Sequence, residues 1–157
     1  MALNFNHLLD DTGWRLLSLL QNNARLSYSE LGRQIGLSTP AVIERVRKLE
    51  SAGIISGYQA KVDIEKLGIG IIAFISLNTV PEKHTSIIDF LKKAPEVQES
   101  HYITGQASFM IKIASPDVQQ LEKFIDRLSK FGTTNTSIVM STNVDNRFVT
   151  EMKELLD

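Results

Sequence analysis

The sequence contains no cysteine. That excludes a disulfide framework, a cysteine-based zinc site and a cysteine nucleophile. Its histidines, His7, His84 and His101, are scattered, with no Asp or Glu spacing that would complete a metal triad. On its strand, His101 reads as a packed or surface side chain. G-x-S-x-G, P-loop and dinucleotide fingerprints are all missing. The pattern therefore predicts no enzyme, and neither a cofactor nor a metal is expected. No apolar run approaches the length that crosses a bilayer. The opening MALNFNHLLDD lacks the basic and apolar regions of a secretory signal. A cytoplasmic protein with no membrane partner is the expectation. Positive charge is not in excess either: 17 Lys and Arg face 18 Asp and Glu, a formal net charge of −1. A non-specific polycation is thereby disfavoured.

What is present suits one domain or two small ones. The 157 residues are 43% apolar and 22% charged, ordinary for a globular chain. Charge is unevenly placed. Between Arg25 and Lys48 five basic residues face two acids, a local surplus on an otherwise neutral chain. Such a patch suits a protein that touches DNA through one face, with weak binding per chain and therefore a dimer or larger assembly.

The patch coincides with the most patterned stretch, Ser27 to Tyr58. Ser27 followed by Glu30 is a capping box that starts a helix, and Gly36 ends it. Ser38 is placed to cap a second helix, with Pro40 in its first turn, where a missing N–H does no harm. Val42, Val46 and Leu49 make one face of that helix core, which puts Ala41, Glu44 and Lys48 on the opposite face. Two helices across so short a turn predict a helix-turn-helix over about 28–47, its second helix entering the major groove. Plain helical domains also contain such pairs. The small polar start of the second helix, Ser38-Thr39-Pro40-Ala41, favours an approach to base edges. Gly53 to Tyr58 reads as the hairpin wing of a winged helix, and Tyr58 to Asp63 as a strand leaving it.

Upstream, Asp10 to Asn22 reads as a helix with Trp14, Leu16, Leu17 and Leu20 inward and Trp14 as a core anchor. The candidate DNA-binding residues are Arg25, Tyr28, Ser38, Thr39, Ala41, Glu44, Arg45, Arg47 and Lys48. Thr39 and Glu44 are placed to discriminate bases, while Arg25 and Arg47 are better placed for phosphates, as is Lys48 if it meets one. Beside Val42 and Val46, Arg45 is also a candidate ion-pair partner for Asp10 or Asp11.

Ile64 to Gly70 reads as a short structured hinge. Beyond it, strands are expected at 69–80, 97–104, 108–114 and 133–141. Helices are expected at 82–94 (Ile87, Ile88 and Leu91 inward), at 117–130 (Val118, Leu121, Phe124, Ile125 and Leu128 inward) and at 146–156. The run 69–80 reads as a strand buried on both faces. That order is β-α-β-β-α-β, an α+β layer with helices on one sheet face. The other face, with residues such as Ile72 and Phe74, needs a cover, and self-association about a two-fold axis supplies one.

The run Leu37-Ser38, Arg45-Val46-Arg47-Lys48-Leu49-Glu50, Gly53-Ile54-Ile55 and Gly57-Tyr58 resembles the Lrp/AsnC (feast/famine) transcriptional regulators. Leu9-Asp10-Asp11, Leu16-Leu17, Leu20-Gln21 and Arg25-Leu26-Ser27-Tyr28 match that family's opening. The resemblance covers the whole chain. It implies a winged helix-turn-helix DNA-binding domain at 1–63 and, at 64–157, a ferredoxin-like (RAM-type) domain for effector sensing and oligomerisation. Double-stranded DNA, a homodimer or higher even oligomer, and an amino-acid effector are the implied partners. The family's effector turn falls at Thr104-Gly105-Gln106-Ala107-Ser108-Phe109, where relatives carry a Thr-Gly-x-x-Asp-Tyr-like pattern. Thr134 and Thr136 match its paired threonines, and equally suit ordinary strand positions. Ser108 replaces the aspartate, which implies a weakened or altered response to amino acids.

Three functions stay open on these residues. The first is a sequence-specific transcriptional regulator responding to an amino acid or related metabolite. The second is an effector-independent architectural DNA-binding protein. The third is a small-molecule-binding α+β domain whose helices only mediate association.

Overall fold

The computed structural model describes residues 8–150. The chain divides into two compact units. Residues 8–60 with 144–150 form one and residues 61–143 the other.

The first unit holds α1 (Asp11–Asn22), α2 (Tyr28–Ile35) and α3 (Thr39–Ser51). The Asp10 carboxylate caps α1 by accepting from the Gly13 N–H at 2.8 Å. Ser27 and Glu30 form the expected capping box on α2. Ser38 stands at the α3 N-cap but makes no side-chain capping bond, leaving Pro40 as the local start signal. Leu16, Leu20, Leu31, Ile35, Val42, Val46 and Leu49 fuse the three helices into one buried cluster. Trp14 is not the anchor of this core. It is half-buried, and the buried core positions of α1 are Leu16 and Leu20.

No wing hairpin forms: residues 52–70 contain no strand. Gly53, at φ 70°, turns the chain sharply at the end of α3. The Ile54 and Ile55 N–H groups then both donate to the Leu49 carbonyl, and the two isoleucines pack on the helical core. Backbone groups a hairpin would need are spent closing the helix. Tyr58 folds back to donate its hydroxyl to Glu50 Oε1 at 2.9 Å. The hinge region is one short 3-10 turn, Glu65–Leu67.

In the second unit β1 (Ile71–Asn78), α4 (His84–Lys93), β2 (Val97–Tyr102), β3 (Phe109–Ser115), α5 (Val118–Ser129) and β4 (Thr133–Ile138) give the β-α-β-β-α-β order. The strands lie β2-β3-β1-β4, each neighbour antiparallel. A register shift between Val97 and Glu99 marks a bulge in β2. Ala73, Ile75 and Leu77 of β1 and Phe109, Ile111 and Ile113 of β3 meet Ile87, Leu91, Leu121, Phe124 and Leu128 of the helices.

Because both helices lie on that side, β1 is buried on one face only. Phe74 on the other face is 41% exposed. Ile88 and Val118 also point outward, contrary to the periodicity, since two turns of Ile87 and Leu91 already fill the α4 contact and Asp117 sets the α5 entry. Residues 146–150 carry no helix. Asn146 adopts φ 43°, and Val149 exchanges two hydrogen bonds with the Gln21 amide, at 3.0 and 2.9 Å. Met152, Leu155 and Leu156 of the expected terminal helix lie outside the described residues.

Candidate nucleic-acid interface

The core stripe of α3 determines which of its side chains face outward. With Val42, Val46 and Leu49 wholly buried, the opposite face carries Thr39, Pro40, Glu44, Arg47 and Lys48, all exposed, with Ala41 half-buried at its edge. A shallow open depression of about 800 Å³ runs along this face, lined by Pro40, Ile43, Arg47 and Ser51 among others. Pro40, Ile43 and Ser51 were not among the sequence candidates. The helical angle that selects Glu44 selects Pro40 and Ser51 as well.

Charge on this face is partly self-compensated. Lys48 Nζ lies 2.7 Å from Glu44 Oε1, one helical turn away. The Lys48 ammonium holds the Glu44 carboxyl below its usual range. Arg25 and Arg47 are exposed and form no ion pair among the described residues. Tyr28, at the first position of α2, is also exposed. Ser38 is exposed at the turn, its hydroxyl unused as a cap.

Arg45 is different. Its Nη1 and Nη2 donate to Asp10 Oδ1 and Oδ2, each at 2.8 Å, so the guanidinium fork is filled from within the unit. That side chain braces α3 against the start of α1 and is not presented on the outer face.

The residues matched to an effector turn lie in the sheet unit. Thr104 and Gly105 are exposed, with Gly105 at φ 121°. The Ser108 hydroxyl is occupied: it accepts from the Thr79 N–H and lies 3.3 Å from both Asn78 Oδ1 and the Thr79 carbonyl. The Asn78 amide also donates to the Gln106 carbonyl at 3.2 Å, closing the turn onto the end of β1. Asn78 and Thr79 carry no sequence signal for this; only strand register reveals it. Phe109 is 3% exposed and packs with His84 and Tyr102, so its ring is part of the core. Thr134 and Thr136 are half-buried opposite Leu77 and Ile75. Ser108, Phe109 and Thr134 thus gather at one end of β1, because Leu77 pairs with both Phe109 and Thr134.

The sheet's helix-free face carries Ile72, Phe74, Met110 and Ala114, with Lys112 paired to Glu99 at 2.9 Å and His101 beside Glu99. Lys112 lowers the Glu99 carboxyl from its ordinary range. Among the described residues, no three His, Asp or Glu side chains are grouped to hold a metal, and no helix is long and apolar enough to cross a membrane.

Residues 9–50 match the AsnC-type helix-turn-helix domain, and residues 72–149 match the Lrp/AsnC ligand binding domain. The HTH-type transcriptional regulator YezC of Bacillus subtilis is 42% identical over 135 residues, covering 86% of this chain and 96% of that protein. The structure of B. subtilis LrpC superposes with a TM-score of 0.84 at 33% identity, over 88% of this chain and 99% of that one. A Neisseria meningitidis transcriptional regulator, NMB0573, solved in complex with L-Met, gives 0.86 at 26% identity, over 94% and 99%.

Proposed function

The chain belongs to the Lrp/AsnC family, and we propose that it binds double-stranded DNA through the outer face of α3 and tunes that binding to an amino acid or related metabolite. It is a DNA-binding transcriptional regulator. The observation that carries the DNA role is the outer face of α3, where Thr39, Glu44, Arg47 and Lys48 are exposed with Ala41 at the edge, and where Arg47, like Arg25 before α2, forms no ion pair among the described residues. Residues 1–63 carry DNA binding, with Tyr28 and Ser38 at its margin. Residues 64–157 carry effector sensing and oligomerisation.

A homodimer, or a higher even oligomer, forms by covering the sheet face of Ile72, Phe74 and Met110. The protein acts in the cytoplasm and performs no enzymatic step. The L-Met complex of the Neisseria regulator supports an amino-acid effector here too. Ser108 alters that response, because its hydroxyl is engaged by Asn78 and Thr79 and offers no carboxylate to an α-ammonium group. The same observation favours a second function, effector-independent DNA architecture.

The test is a mobility-shift assay on genomic fragments, with and without a panel of amino acids. Retention of specific fragments with a shift on adding one amino acid is expected. Specific retention unmoved by every amino acid selects the architectural role, and loss of all DNA binding at low salt overturns both.

A further inference from the structure

The geometry points to Glu44 as the residue that selects a cytosine in the DNA site, with Lys48 making a carboxylate tolerable in the groove. This rests on the DNA-binding role proposed above. Glu44 lies at the centre of the exposed face, in the second turn of α3, and its side chain is 67% exposed. An ionised carboxylate has acceptors only. In the major groove, guanine and the thymine carbonyl present acceptors, which repel it. Adenine sets its amine beside its own N7 acceptor, whereas cytosine presents its N4 amine with no acceptor of its own in the major groove. Cytosine is therefore the base this side chain favours.

A bare carboxylate between two phosphate rows would also be repelled. Lys48, 2.7 Å from Glu44 Oε1, makes the pair locally neutral. Attraction to the backbone is left to Arg25 and Arg47, which are free of ion pairs among the described residues. Arg45 cannot swing in to replace Lys48 without leaving Asp10. Selection and non-specific attraction are thus divided between different side chains of one helix-turn-helix.

The experiment is selection from a random duplex pool by the full-length protein, as wild type, Glu44→Gln and Glu44→Ala, with thermal midpoints measured alongside. The wild type is expected to enrich a site containing a cytosine whose change to thymine weakens binding about tenfold or more. In Glu44→Gln, whose amide can donate to the thymine carbonyl, that penalty falls below about threefold. Glu44→Ala, which removes both acceptors, should flatten the same position. If the wild type enriches a site and both variants keep its cytosine dependence, the assignment of Glu44 is overturned. If the wild type retains no duplex, the DNA-binding role itself is overturned.

Discussion

The Asp10 carboxylate grips both terminal nitrogens of Arg45, 35 residues away, while the same Oδ1 caps α1 through the Gly13 N–H. One side chain thus starts the first helix and ties α3 to it. Asp10→Asn keeps an acceptor for the cap and removes the charged fork. We expect a stability loss of no more than about 1 kcal/mol, since the pair is part-exposed. The larger effect should be a reduced ratio of specific to non-specific DNA affinity. Arg45 and the Gly13 N–H hold the Asp10 carboxyl below its ordinary value of 3.8. A lowered folded-state value gives stability that is present above 3.8 and lost as pH falls below it. Denaturant unfolding of wild type and Asp10→Asn should accordingly differ at neutral pH and converge in acid.

Arg25 and Arg47 should behave as phosphate-binding residues. Replacing either by alanine is expected to weaken all duplexes alike. Each replacement should also lower the slope of log affinity against log salt by about 0.9, the share of one neutralised phosphate. Binding measured across a salt series decides this; an unchanged slope removes that arginine from the interface.

Ser108 should now be judged by what it holds. Ser108→Ala should destabilise the sheet unit by about 1 kcal/mol, the worth of its bonds to Asn78 and Thr79. Ser108→Asp should destabilise it more, because an ionised carboxylate cannot donate to the Thr79 carbonyl it would face. Thermal unfolding measures both. A stabilised Ser108→Asp with new amino-acid binding would mean that the turn can reopen to take an α-ammonium group.

Phe74→Glu places a charge in the middle of the helix-free sheet face while leaving the core untouched. Light scattering at micromolar concentration should find an even-numbered assembly for the wild type and a monomer for the variant. Weaker DNA binding should accompany the split. An unaltered size would place the association surface elsewhere.

The local signals that carried the fold were capping and periodicity. Ser27 with Glu30, Gly36, and the Val42, Val46 and Leu49 stripe each correspond to an element at the expected place. Misreadings arose where tertiary packing outranks pattern. Trp14 has the hydrophobicity of a core residue, but Leu16 and Leu20 fill the α1 side of the core and leave its bulk at the margin. Gly53-Ile54-Ile55 has hairpin composition, yet the same residues terminate a helix when their N–H groups find the Leu49 carbonyl. On α3, helical angle alone located Glu44, Arg47 and Lys48 on the exposed side. The engagement of Ser108 by Asn78 was invisible, because it depends on two strands meeting in register across 30 residues.

The bulge in β2 bears on what the sheet can become when chains crowd together. With β2 and β4 as its two borders, the sheet could grow without limit only by seating the β4 of one copy on the β2 of the next. A strand that kinks between Val97 and Glu99 breaks the straight row of amides such an addition requires. Filament-like extension is therefore disfavoured, while pairing of like with like closes after two copies. One irregular residue at a border thus acts as a safeguard against runaway polymerisation.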